Sequence, residues 1–293
     1  MYYRRKVLLA LLERFGGTLG RIEFMKLLFI LTREQEVPSF DFIPYHKGCF
    51  SLFANVELST LKQYEKVSET ETNWQLLDSS SWLNQLHATD RNLIEQLYQS
   101  YGEATASDLI GLTYRKYPWY ATRSNIKEQY LTKVELEVVA ELMEKDQTPC
   151  LFTIGYEGRS IDAWLNELLK SNVRLLCDVR HNPLSRKYGF SKKSLSAHCE
   201  RVGIGYLHLP ALGIESQQRQ NLNSVDDRIH LFAAYGSRIQ TQKEDLAQIE
   251  NLIRLHKRVA LMCFELCEQD CHRGTLAKEL IKQAHNSYTL RHL

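Results

Sequence analysis

At 293 residues the chain is about twice the usual domain size of roughly 100–150, so two cores are expected rather than one. Its 44% hydrophobic and 25% charged residues are globular averages, which excludes a disordered, collagenous or fibrous chain. A net charge of +2 excludes a polybasic protein that grips nucleic acid by bulk charge, and leaves only local patches open.

No apolar run approaches the roughly 20 residues that span a bilayer, and Met1 to Arg5 is not followed by a signal-type core. The expectation is a soluble, unexported protein without a membrane partner. Seven scattered cysteines, an odd number, do not make a secreted disulfide framework and fit a reducing cytoplasm.

The first half opens with Val7 to Leu12, a Gly-rich turn at Gly16 to Gly20, and Ile22 to Leu31 with apolar residues at helical spacing. This is the pattern of two helices around a turn, as in a helix-turn-helix. An extended, aromatic-rich stretch runs from Phe40 to Phe53, helical Val56 to Tyr64 follows, and Trp74 to Leu77 reads as a short strand or wing. Helices are expected over Asp90–Ser100, Ala106–Lys116 and Val134–Lys145, and the aromatics between them read as core packing. Arg4-Arg5-Lys6 and Arg115-Lys116 are the candidate basic patches, for nucleic acid or as plain solvated surface.

The order Lys26-Leu27-Leu28-Phe29, Pro44-Tyr45, Lys47-Gly48, Phe50-Ser51, Leu58 and Leu61 resembles the Panacea domain, a helical module of prokaryotic toxin–antitoxin and phage-defence proteins. It is also similar to a winged-helix entry, and implies a DNA or protein partner for this half.

Charge changes along the chain: residues 1–150 carry 17 Lys+Arg against 20 Asp+Glu, and residues 151–293 carry 20 against 15. The +2 is therefore −3 plus +5. Asp146 to Pro149 is a polar link, so the domains are expected at 1–146 and 150–293.

The second half alternates strands and helices. Strands are expected at Leu151–Ile154, Arg174–Val179, Tyr206–Leu209 and Arg258–Phe264, and helices at Ile161–Lys170, capped by Ser160, Lys192–Arg201 and Thr275–Ala284. Glu215 to His256 is a long polar and helical stretch. The fold class expected is α/β, a mostly parallel sheet with flanking helices, preceded by a mainly helical, winged-helix-like N-terminal domain.

Ligands of open α/β sheets bind at the carboxyl ends of strands, and the chemistry-bearing residues fall there. They are Tyr156, Glu157 and Arg159; Asp178, Arg180, His181, Asn182, Pro183, Ser185, Arg186 and Lys187; then His208, and finally Glu265, Cys267, Cys271, His272 and Arg273. Thr153 to Gly158, Asp178-Val179-Arg180 with Asn182-Pro183, Ser185-Arg186 with Gly189-Phe190-Ser191, His208-Leu209-Pro210 with Leu212-Gly213, and Cys263-Phe264-Glu265 with Cys271-His272-Arg273 resemble the domain of unknown function 488 family over residues 151–284. The resemblance implies an α/β fold and a bacterial or archaeal source, and no established reaction.

Three chemistries are open at this rim. Glu157, Asp178, Glu265 and His272 are a candidate acid/base set, with Asp178 alternatively a structural partner of Arg180 or Arg273. Arg180, Arg186 and Arg273 suit a phosphate or carboxylate, beside Asn182, Pro183 and Ser185, while Tyr156 and His208 would stack on a base or serve as packing. Cys271, expected near a helix N-terminus, reads as a nucleophile with lowered pKa, as a packed inert thiol, or as a metal ligand with Cys263, Cys267 and His272. The favoured reading is an enzyme for a phosphate-bearing small molecule or nucleic acid, without a cofactor or metal. A regulator with a ligand-sensing α/β domain and thiol or sulfur transfer at Cys271 are the alternatives.

Overall fold

The computed structural model describes residues 1–143, 146–219, 225–283 and 287–293. It divides into two compact units, Met1–Met143 and Glu144–Leu293.

The first unit contains α1 (Tyr3–Arg14), β1 (Thr18–Gly20), α2 (Arg21–Glu34), β2 (Ile43–Tyr45), β3 (Gly48–Phe50), α3 (Leu52–Gln63), β4 (Val67–Glu69), β5 (Asn73–Leu76), α4 (Ala88–Tyr101), α5 (Ala106–Lys116) and α6 (Lys133–Glu141). It is largely helical. Val7 to Leu12 of α1 and Phe24 to Thr32 of α2 are buried without a break, so neither helix keeps a wet face over those turns and both form the centre of the core. The Trp74 segment is the middle strand of an antiparallel sheet in the order β1-β5-β4. Phe29 packs against Phe42, Tyr117 and Tyr120 at 5.1, 5.0 and 4.6 Å between ring centroids, so these aromatics do serve as core. The helix expected to reach Lys145 ends at Glu141, and Lys145 lies outside the described residues.

Lys26 and the turn at Lys47-Gly48 share one construction. The buried ammonium of Lys26 donates to the Lys47 carbonyl at 2.6 Å and pins the β2–β3 hairpin. At the turn, Gly48 has φ +91°, and a Cβ there would stand 2.4 Å from the Tyr114 ring and 2.7 Å from Lys26 Nζ. Four residues of the basic patches expected from the sequence have carboxylate partners. Arg4 and Arg5 both ion-pair with buried Glu57, Arg115 with Glu135, and Lys116 with Glu34.

The second unit contains β6 (Cys150–Gly155), α7 (Ile161–Lys170), β7 (Leu175–Asp178), α8 (Lys192–Arg201), β8 (Gly205–His208), α9 (Val225–Thr241), α10 (Lys243–His256), β9 (Arg258–Cys263), α11 (His272–Gln283) and β10 (Thr289–His292). It is α/β: a five-stranded, all-parallel sheet in the order β10-β6-β9-β7-β8 with flanking helices. Side chains alternate across a strand, and Leu151, Leu175, Cys177, Val259 and Leu261 pack with Tyr235, Ile249, Leu276 and Leu280 of α9, α10 and α11. Phe152, Ile154, Leu176, Ala260 and Met262 point to the opposite face. The long polar stretch resolves into α9 and α10, with residues 220–224 outside the described set, as is Ala284 of the last expected helix. No helix among the described residues is long and apolar enough to cross a membrane.

On α8, burial and then neighbouring Arg201 push the His198 imidazole down to about 4 from its ordinary 6.5. The neutral ring is favoured in the folded protein, so its contribution is full above about pH 6.5 and is lost as pH falls toward about 4. His198→Gln is expected to melt less pH-dependently than the native chain across this window. Parallel melting curves for the two would remove His198 as a source of acid lability.

Candidate functional site

The strand order decides where a crevice forms. From neighbouring β7 and β9 the chain leaves in opposite directions, to β8 on one side and to β10 on the other. Loops that diverge open a cleft at the carboxyl ends of the two strands. Asp178 ends β7, Cys263 ends β9, and two different clusters of polar side chains stand there.

The first cluster is an internal ion pair. Asp178, fully buried, accepts from Arg180 Nε at 2.8 Å and Nη2 at 2.6 Å, from the Arg180 backbone N–H at 3.2 Å, and from the Tyr206 hydroxyl at 2.7 Å. Arg180 gives its remaining Nη1 to the Tyr156 hydroxyl at 3.0 Å. Burial works against the guanidinium charge, but the hydrogen bonds and charge of Asp178 outweigh it and raise the Arg180 pKa. Tyr206 is raised by burial and then by the same carboxylate. Asp178 and Arg180 therefore satisfy each other, and the structural alternative describes them. Tyr156 is only 4% exposed, stacked on Phe190 at 4.3 Å with the Arg180 guanidinium 5.2 Å from its ring centroid, so it packs internally. His208 bonds the Arg180 carbonyl at 2.9 Å and is likewise used internally.

Arg273 is bonded within its own loop. Only 1% exposed, it donates to the backbone carbonyls of Glu265 and Leu266 and holds the loop between β9 and α11. That loop is held from the other side by Gly155, where a Cβ would stand 1.8 Å from the Glu265 carbonyl oxygen. Pro183 accepts from the Lys192 backbone N–H at 3.0 Å, and Ser185 exchanges bonds with the Ser191 hydroxyl, so both tie the loop after β7 to the start of α8. Asn182 and Arg186 are exposed on that loop.

The second cluster lies where β9 meets α11. This helix starts at His272, three residues earlier than its periodicity suggests, which puts Cys271 just before its first turn. His272 Nε2 bonds the Val179 carbonyl at 3.0 Å, while its Nδ1 faces Cys263 Sγ at 3.6 Å and Cys271 Sγ at 3.9 Å. The Cys263 thiol is 3.4 Å from Glu265 Oε2. Cys267 stands apart, exposed on the loop. Burial, then Cys263 and Glu265, push the Cys271 thiol well up, and Arg273 only partly offsets them.

Glu157, Glu265, Asp270 and His272 line one pocket of about 440 Å³ beyond β9, together with Arg228 and Phe232 of α9. Glu157 accepts from the Leu266 backbone N–H at 3.1 Å, which sets its carboxylate beside the loop. Arg228, 3.3 Å from Asp270, has no sequence signature, because it sits in a polar helical stretch like any surface arginine.

Residues 160–280 match the family model described as Domain of unknown function DUF488, so the second unit is a DUF488 domain. No curated protein and no solved structure matches the chain.

Proposed function

We propose that the second unit is a cytoplasmic, prokaryotic enzyme of hydrolase type that acts on a phosphate-bearing substrate, a nucleotide or nucleic acid. The observation that carries this reading is the pocket beyond β9, where the carboxylates of Glu157, Glu265 and Asp270 and an imidazole line the same space as one guanidinium and a phenyl ring. Glu265 takes a proton from water, Glu157 returns one to the leaving group, and His272 forms the wall between them. Arg228 exchanges its exposed partner Asp270 for a phosphate, and Phe232 offers the apolar surface for a base or sugar. A regulator that binds DNA through its first unit has less support, since Arg4, Arg5, Arg115 and Lys116 are held by carboxylates. Thiol transfer at Cys271 is opposed by the burial that raises its pKa.

The test is a screen of the full chain for hydrolysis of nucleotides and oligonucleotides. Glu265→Gln and Glu157→Gln are expected to lower turnover by about 100-fold or more, and Arg228→Ala to raise KM. Full activity in both glutamine variants, or no turnover and no binding by the native chain, would overturn the assignment.

A further inference from the structure

We propose that Cys263, Cys271 and His272 hold a divalent, thiophilic metal ion, zinc by its donor chemistry, at the junction of β9 and α11.

Three independent features of the cluster support a ligand set. Its donor atoms all lie within 4.8 Å of one another, and all three residues are at most 1% exposed. A tetrahedral ion with metal–sulfur bonds of about 2.3 Å and a metal–nitrogen bond of about 2.0 Å separates sulfur from nitrogen by about 3.5 Å. The separations from His272 Nδ1 are 3.6 Å to Cys263 Sγ and 3.9 Å to Cys271 Sγ. The two sulfur–nitrogen separations are thus close to what an ion between them requires.

The imidazole is in the tautomer that a ligand needs. Its Nε2 faces the Val179 carbonyl, which can only accept, so the proton sits on Nε2 and the Nδ1 lone pair is turned toward the two sulfurs. A carbonyl behind the ring is the usual device for fixing a metal-binding histidine. Charge also balances, because two thiolates and a neutral imidazole offset a divalent cation in a place where unpaired charge is costly. Glu265, on the wall of the pocket, has its Oε2 3.4 Å from Cys263 Sγ, and three protein ligands leave a fourth position open. A water bound there would be acidified by the ion, as at zinc sites with three protein ligands. Cys267, which the sequence groups with these residues, is outside the set.

The site stands on the cluster alone and is tested apart from hydrolysis. The full chain, purified without chelator, is expected to retain about one zinc per molecule by mass spectrometry of the metal. After chelation, cobalt(II) added alone should give intense visible bands and thiolate charge-transfer absorption. Cys263→Ser with Cys271→Ser should reduce both to background while Cys267→Ser leaves them unchanged, with circular dichroism checking that each variant is folded. Zinc should also raise the melting temperature of the native chain and not that of the double variant. A folded native chain that retains no metal and gives no cobalt absorption, or a double variant that binds as well as the native chain, overturns the site. Metal bound without hydrolysis keeps this site and removes the enzyme reading; hydrolysis without metal does the reverse.

Discussion

Replacing Asp178 with alanine is expected to destabilise the second unit by about 3–5 kcal/mol, because it leaves the Arg180 guanidinium buried with no counter-charge. Arg180 is only 5% exposed and both of its carboxylate contacts go to Asp178, so no other acid replaces the lost partner in the same geometry. For a unit of this size that cost corresponds to a drop of roughly 10 °C in the melting midpoint. Asp178→Ala with Arg180→Met removes both charges and should recover a substantial part of the loss, since a buried pair replaced by apolar groups is often nearly neutral. Calorimetry of the two variants decides the matter. A single variant that melts within a degree or two of the native chain would show that this pair does not hold the ends of β7 and β8 together.

Glu57→Ala is the corresponding experiment in the first unit, with an expected loss of about 2–4 kcal/mol. One buried carboxylate sits between Arg4 and Arg5, and its removal leaves two guanidiniums against each other with nothing between them. Arg4 keeps 33% of its side chain in water, which places the cost toward the lower end of the range for buried pairs. Glu57→Gln, which keeps the shape and some hydrogen bonding, should fall between the two. Equal midpoints for the alanine variant and the native chain would contradict this account.

Fold was legible where periodicity and capping agree. Ser160 and the apolar spacing after it place a helix over Ile161–Lys170, and α7 has those bounds. The strand runs around Leu151, Leu175 and Val259 are mostly apolar and buried throughout, as expected of parallel strands covered on both faces. β10 was not legible, because a four-residue edge strand of Thr289, Leu290, Arg291 and His292 is mostly exposed and carries no alternation. The rim was legible as a location, since strand ends are where an α/β sheet gathers its polar residues. What each side chain faces was not. Arg180 and Arg273 look like anion ligands in sequence, yet one meets a carboxylate two residues away and the other meets carbonyls of its own loop. Arg228 reaches the pocket only through the packing of α9 on α11, a contact that no local pattern encodes.

The strand order also governs when this unit can form during synthesis. β6 pairs only with β9 and β10, and β7 touches β6 only through β9. A ribosome that has released the chain through α8 has therefore exposed two apolar strands with no neighbour between them, and the missing strand arrives more than fifty residues later. β7 can pair with β8 as that strand emerges, but β6 stays unpaired until the unit is nearly complete, which makes a chain interrupted before Arg258 a candidate for chaperone binding and proteolysis rather than for partial activity.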